Sequence, residues 1–305
     1  MLRISDLLKN KINPKMPKIQ EKSIVEYTNN KLALNMIVCN ELECLKKYFD
    51  RMHFDEVVVV DTGSIDGTVE FLKSFPYVKL IQIEPDYEIE GKKYLNYAKA
   101  RNIAIDNTKS EWILSIDADE AIHSNDICKI YDLVKIKHIY DAFYIPIFNF
   151  YKNPQDKDFD IKNAKHMYPG LVPRLFKNNG IKYYGLIHER IDRSIKYKNY
   201  AIIKNWGIQH WGYVNKQKVM ANNNELYRIL MEEQVRLDNS SFHYYLLSKW
   251  WLDKNDIKAT EYCKEAIKNL RPEYIIGNED KLYKGYLKYL LYRPLELAVE
   301  NINKL

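Results

Sequence analysis

Residues 56–75 read EVVVVDTGSIDGTVEFLKSF. The β-branched run from Val57 to Val60 suits a central strand, and it ends on Asp61. Gly63 permits a tight turn, and the Thr62–Gly67 segment leads into a helix N-terminus. Ser64 and Asp66 are candidate helix caps, and Val69, Leu72 and Phe75 then recur at helical spacing. The stretch is a strand, a polar loop and a helix.

The same alternation extends to both sides. LALNMIV (Leu32–Val38) is a short apolar run, read as a buried strand. NELECLKKYFDRM follows, with Leu42, Leu45, Tyr48 and Phe49 on one helical face. VKLIQIEP is a further strand, YLNYAKARNIAIDNT a helix, WILSID a strand and SNDICKIYDLVKI a helix opening on Ser124. Alternation through about Ile139 predicts an α/β unit with a mainly parallel sheet. Such sheets bind ligands beyond the carboxyl ends of their strands. Asn40, Asp61, Asp117 and Asp119 all stand at such ends.

From Phe143 to about Trp211 strand-like pieces (AFYIPIFNFY, LVPRLFK, NYAIIKNW) are joined by polar loops, and they are expected to complete the sheet. After Lys216 the character is helical. FHYYLLSKWWLDKNDIKATEYCKEAIKNL resembles one tetratricopeptide unit, with Ala259, Tyr262 and Ala266 on one face; an ordinary helical hairpin fits equally. A single such unit must pack on the α/β half, on a neighbouring unit or on another chain. The expected division is an arm over 1–30, the α/β unit over 31–215 and a helical region over 216–305.

A chain of 305 residues, 46% of them hydrophobic, can bury one large core with a smaller appended unit. The net charge of +6 suits an anionic ligand. Nucleic acid is not expected, because zinc-finger spacing, RNA-binding aromatics and dense basic runs are all missing. Cys39, Cys44, Cys128 and Cys263 show no C-x-x-C spacing and read as reduced thiols of a cytoplasmic protein. MLRISDLLKNKINPKMPKIQ lacks the apolar core of a signal peptide, and no apolar run is long enough to span a membrane. The basic first 20 residues read as a solvated arm in preference to a peripheral contact with anionic lipid.

WILSIDADEAI (Trp112–Ile122) carries the chemistry. Side chains at i and i+2 of an extended segment share a side, so Asp117 and Asp119 are expected to meet at one point off the sheet edge. Two carboxylates that close repel unless a cation neutralises them. Mg²⁺ or Mn²⁺ fits, since such ions take one or two carboxylates and complete their shell with water and phosphate oxygens. That implies a nucleotide diphosphate ligand. Asp61 can accept hydrogen bonds from a nucleobase or ribose, though a capped βα turn uses the same residues. Arg174 either faces phosphate or acceptor or is a surface arginine.

MIVCNE, VVVVDTGSIDGTVEF, YAKARNIAI and WILSIDADE, in that order, resemble the motif set of family-2 glycosyltransferases of the GT-A (Rossmann-like) fold. The resemblance runs from about Leu32 to Trp211. It implies an inverting transfer from a nucleotide sugar, usually a UDP-sugar. It also implies that Asn40, Glu41 and Asp61 line the nucleoside pocket, that Arg101 and Asn102 lie near the nucleotide and its diphosphate, and that Asp117 and Asp119 hold Mn²⁺ or Mg²⁺, with Asp117 also touching the donor. YYGLIHERI resembles a motif found after the paired aspartates in the branch with helical repeats, where Glu189 would be the base that takes the acceptor's proton. Otherwise Glu189 is an acid neutralised by Arg190 or Arg193. IQHWGY resembles the element whose histidine completes the metal shell, here His210, which could instead sit in an aromatic cluster with Trp206, Trp211 and Tyr213.

That branch includes enzymes that glycosylate bacteriocin peptides on cysteine sulfur and others that decorate saccharides. The implied acceptor is a saccharide, a lipid-linked species or a peptide, and the branch suggests a homodimer through the C-terminal helices. Other classes fit less well. A phosphatase of D-x-D-x-T type would need Thr where Ala121 stands, and a nucleotidyltransferase would need a Gly-rich loop where MIVCNELECL has no glycine. A silent nucleotide-sugar-binding or docking module has no physical reason to keep its carboxylates clustered.

Overall fold

The computed structural model describes residues 29–135, 140–150, 170–191, 194–195, 200–203, 206–212, 216–252 and 254–269. The expected N-terminal arm, Arg193, Tyr213 and the chain beyond 269 lie almost wholly outside that set. In chain order the elements begin β1 (Leu32–Val38), α1 (Leu42–Tyr48), β2 (Glu56–Asp61), α2 (Thr68–Lys73) and β3 (Val78–Gln82). A hairpin of β4 (Tyr87–Ile89) and β5 (Lys92–Tyr94) precedes α3 (Tyr97–Asp106). Then come β6 (Trp112–Asp117), β7 (Glu120–Ala121), α4 (Ser124–Lys135), β8 (Ala142–Asn149), β9 (Gly170–Lys177), β10 (Tyr200–Ile202) and β11 (Ile208–His210). Three helices follow: α5 (Lys216–Asp238), α6 (Ser241–Trp251) and α7 (Asp256–Lys268).

The main sheet has the order β3-β2-β1-β6-β9-β8-β11-β7, with β10 also paired to β8. β3, β2, β1 and β6 are mutually parallel, and β9 enters antiparallel between β6 and β8. The valine run explains how the sheet is covered. Val57 and Val59 join Leu45, Phe49, Leu72 and Ile130 in one core, while Val58 and Val60 pack with Ala100 and Ala104 of α3 in another. Period-2 alternation sends successive valines to opposite faces, and both faces are apolar because helices cover both.

Two local expectations are revised. Ser64 does not cap α2, which opens at Thr68 after Gly67 in the left-handed region; Asp66 accepts instead from the Thr68 amide at 3.0 Å and the Leu42 amide at 3.1 Å. One carboxylate thereby ties the starts of α1 and α2 together. The β4–β5 hairpin is absent from the pattern reading. Its three-residue strands are too short to show a period, and its turn rests on Glu90 and Gly91, both at positive φ.

After the sheet unit, α6 and α7 form the expected helical hairpin, with Ala259 and Ala266 buried and the Ser241 hydroxyl donating to the Ala266 carbonyl at 2.7 Å. The hairpin is not free-standing. Leu230, Met231 and Val235 of α5 and Leu247 of α6 enclose Ile187 from the sheet unit, with Ile89, Tyr94 and Tyr97 around them. Among the described residues no helix is long and apolar enough to cross a membrane.

Candidate active site

The parallel register brings the acidic residues to one edge. Val38 lies beside Asp61, and Ile37 beside Asp117, so the last residues of β2 and β6 flank the end of β1. At the β2 edge the Asp61 carboxylate is buried and accepts from the Gly63 amide at 3.2 Å and the Ser64 amide at 3.2 Å. Asn40, at φ +55°, accepts from the Ile65 amide at 2.8 Å, while its own amide donates to the Ser64 hydroxyl at 2.8 Å. Asn40 thus locks the β1–α1 loop to the β2–α2 loop, and Asp61 holds the β2–α2 turn. Glu41 turns toward the β6 side. Burial raises its pKa, the Cys44 thiol lowers it, and Asp119 and Asp66 raise it further.

At the β6 edge the arrangement departs from the expectation. β6 stops at Asp117, and Ala118 and Asp119 form a turn, so the i, i+2 rule for strands does not govern the pair. Among the described residues no group of three His, Cys, Asp or Glu side chains is gathered as a metal cluster. Two arginines flank Asp117: Arg101 reaches Oδ1 at 2.5 Å and Arg174 reaches Oδ2 at 3.1 Å. Burial alone would raise the Asp117 pKa, but Arg101 and then Arg174 hold it well below the ordinary carboxylate range.

Asp119 has a different partner. Its Oδ2 lies 3.1 Å from His210 Nε2, and His210 Nδ1 lies 2.6 Å from Asn149 Oδ1. With Asn149 as acceptor Nδ1 carries a proton, and Nε2 faces the Asp119 carboxylate. The strands dictate this meeting, because β11 pairs with both β7 and β8, setting His210 beside Glu120 and Asn149. A Cβ on Gly212 would fall 2.1 Å from Asp119 Oδ2 and 2.7 Å from His210 Nε2, so only glycine leaves room there. Burial would lower the His210 pKa, but the Asp119 carboxylate more than reverses this and raises it. Next to His210 in the chain, Trp211 stacks between Phe150 at 4.3 Å and Tyr48 at 6.0 Å.

Glu189 belongs to the same network. Its neutralising partner is Arg101, whose Nε donates to Glu189 Oε1, rather than Arg190. Arg190 lies over the Phe242 ring at 4.9 Å. Arg101 therefore joins Asp117 to Glu189, and the charges it meets raise its own pKa against the effect of burial. Asn102 faces the other way: its amide donates to the Tyr183 carbonyl at 2.9 Å and accepts from the Tyr183 amide at 2.8 Å. It holds a loop where the resemblance implied nucleotide contact.

Two further residues complete the cluster. Glu120 is buried, accepts from the Asp117 amide at 2.7 Å and takes Arg174 Nη2 at 2.7 Å. Burial pushes its pKa up to about 7 against the pull of Arg174. Arg174 is thus neither a surface arginine nor an open phosphate contact; it is buried inside the carboxylate network. An arginine inside the apolar run LVPRLFK, and a third acid directly after Asp119, were the signals in the sequence.

The mainly parallel sheet, with acids at its carboxyl edge and helices after it, has the form expected of the GT-A fold. The chain belongs to glycosyl transferase family 2, whose family model matches residues 35–201. Among curated proteins it is similar to the SPbeta prophage-derived glycosyltransferase SunS of Bacillus subtilis strain 168, at 28% identity over 247 residues, covering 79% of this chain and 54% of that protein. The chain spans about half the length of the SunS relatives it matches. An uncharacterized glycosyltransferase of Mycoplasma pneumoniae, the MG060 homolog, is 30% identical over 82 residues, or 26% of each chain. Among solved structures, S. aureus TarS 1-349 in complex with UDP is similar at 15% identity and a TM-score of 0.46, covering 89% of this chain and 88% of that one.

Proposed function

We propose that the chain is a metal-dependent, inverting glycosyltransferase that moves a sugar from a nucleoside diphosphate donor, a UDP-sugar, to a saccharide, lipid-linked or peptide acceptor. Residues 31–215 are its transfer unit and 216–305 its helical region. The observation that carries this reading is the joining of Asp117 and Glu189 through Arg101, beside the Asp119–His210 pair. Donor-side and acceptor-side groups then lie on one continuous network.

The Asp119–His210 pair fits a divalent cation. Two ligands at right angles on such an ion, each at about 2.1 Å, lie about 3 Å apart. The observed 3.1 Å separation agrees with that geometry, the ion taking the place of a proton on Nε2. Asp119 and His210 would hold Mn²⁺ or Mg²⁺, with Asp117 at its edge and phosphate oxygens and water completing the shell. Such an ion supplies positive charge against the developing negative charge of the departing diphosphate.

The remaining roles belong to the protein. Asn40, Glu41 and Asp61 wall the nucleoside side. Arg101 fixes the Asp117 carboxylate and places positive charge near the diphosphate. Glu189 takes the proton of the acceptor nucleophile as it attacks the anomeric carbon from the face opposite the leaving group, which inverts that carbon. Its bond to Arg101 orients the carboxylate while the second oxygen reaches the acceptor.

The test is UDP release from UDP-glucose, UDP-galactose and UDP-N-acetylglucosamine with Mn²⁺, with the anomeric configuration of the first-formed sugar read by NMR. Metal-dependent release with inversion is expected. Retention, or release indifferent to chelation, would count against the reading.

A further inference from the structure

Glu189 sits on a loop that the C-terminal helices fasten from beneath. Tyr184 and Arg190 close the loop through reciprocal main-chain bonds of 2.9 and 3.0 Å. Between them Gly185 has φ +101° and His188 φ +49°. A histidine in the left-handed region is strained, and such a conformation persists only where the surroundings over-determine it.

The surroundings here are two buried polar side chains. Gln234 of α5 accepts from the Leu186 amide at 2.6 Å, and His243 of α6 donates from Nε2 to the Ile187 carbonyl at 2.7 Å. The Ser240 hydroxyl lies 2.8 Å from His243 Nδ1 and, donating there, fixes this tautomer. From the sheet side the Tyr97 amide, at the start of α3, donates to the Leu186 carbonyl at 3.0 Å. α3 also carries Arg101, which binds Glu189. The loop is therefore gripped from two directions, with Glu189 directly beyond the grip.

Apolar packing of α5 and α6 on Ile187 would not need these groups. A buried amide and a buried imidazole cost desolvation unless their bonds are made, and both spend them on the main chain of this one segment. A Cβ on Gly185 would approach His243 Cε1 at 3.6 Å, so the ring is packed against the turn.

We propose that Gln234 and His243 are positioning residues for sugar transfer: through Leu186 and Ile187 they fix where the Glu189 carboxylate stands. The helical region thereby completes the active site instead of merely being attached to it. This rests on the reading of Glu189 as the acceptor-side base.

The experiment compares His243→Leu, which keeps bulk and removes the donor, with His243→Gln, which restores an N–H donor. Gln234→Met is a milder variant that keeps length and loses the acceptor, and Glu189→Gln is the control. Each full chain is checked for folding by circular dichroism. UDP affinity with Mn²⁺ is measured by calorimetry, and kcat and KM from UDP release with whichever of the three UDP-sugars the wild type hydrolyses. His243→Leu and Gln234→Met are expected to lower kcat about 10–100-fold, the scale of a small misplacement of a reacting group, with UDP affinity and donor KM unchanged. His243→Gln is expected to recover to within about threefold of wild type. If His243→Leu does not fold, Gln234→Met decides alone.

Wild-type kcat in the folded variants beside an inactive Glu189→Gln would overturn the positioning role and leave Glu189 as base. Equal loss in His243→Leu and His243→Gln would also overturn it, because packing and not the hydrogen bond would then be at work. Wild-type kcat in Glu189→Gln would overturn the base itself, and the positioning role with it.

Discussion

Arg101 offers its guanidinium to three acceptors on two segments: Ser115 and Asp117 of β6, and Glu189 on the Tyr184–Arg190 loop. Removing it takes the arginine from Glu189, which is largely buried, and leaves Asp117 with Arg174 alone. Arg101→Met is expected to destabilise the fold by about 3 kcal/mol, at the lower end for a broken buried pair because Asp117 is still 32% exposed. Urea titration measures this; a loss under about 1 kcal/mol would show the pairs to be no better than surface ones. Asn149 is the second test at this scale. It accepts from His210 Nδ1 in the proposed ligand tautomer, so Asn149→Leu should weaken Mn²⁺ binding about 10–100-fold while leaving the fold intact. Unchanged Mn²⁺ affinity by calorimetry would remove His210 from the metal shell.

At the scale of elements, the short strands β7 and β11 decide the site. They set His210 against Asp119, and they do so only because residue 212 has no side chain. Gly212→Ala places a methyl where Asp119 Oδ2 now lies, so Mn²⁺ binding should be lost with little change in the melting temperature of the sheet. Retained Mn²⁺ affinity in this variant would mean that the pair is not the metal's seat. The pattern reading reached β1, β2 and β6 because a strand covered on both faces is a nearly continuous apolar run, and it reached the half-exposed edge strand β3 through Val78, Leu80 and Ile81. It missed β4, β5, β7 and β11, whose two or three residues hold no readable period. It also placed Asp117 and Asp119 side by side by a rule for strands, whereas β6 ends between them. That ending is set by Glu120, whose carboxylate caps the Asp117 amide at 2.7 Å and turns the chain. No spacing rule encodes such a bond.

For the whole molecule, the sheet unit and the helical region meet at a buried histidine. Burial pulls the His243 pKa down to about 4; the Ile187 carbonyl opposes this, His188 and Arg190 nearby work with it, and Asp238 against it. The unfolded chain binds this proton near pH 6.5, so between that value and about 4 the unfolded state holds more protons. The stabilisation is present above pH 6.5 and is lost as pH falls toward 4, by about 3 kcal/mol in all. Urea midpoints at pH 7 and 4.5 should diverge in the wild type and converge in His243→Leu; equal divergence in both would assign the acid sensitivity elsewhere. How the two regions join was not legible in the sequence, because Gln234 and His243 carry no motif and only the folded chain brings them under the Glu189 loop. The identity of the edge acids was legible, since a carboxylate at the end of an apolar strand has few other uses. The most direct test of the central claim is calorimetric titration of the purified chain with UDP and Mn²⁺, beside an Asp117→Ala/Asp119→Ala variant. UDP binding that requires Mn²⁺ and vanishes in the variant is the predicted result. UDP binding of equal strength in both proteins, or none to the wild type with UDP, GDP or dTDP, would contradict a metal–diphosphate site at this sheet edge.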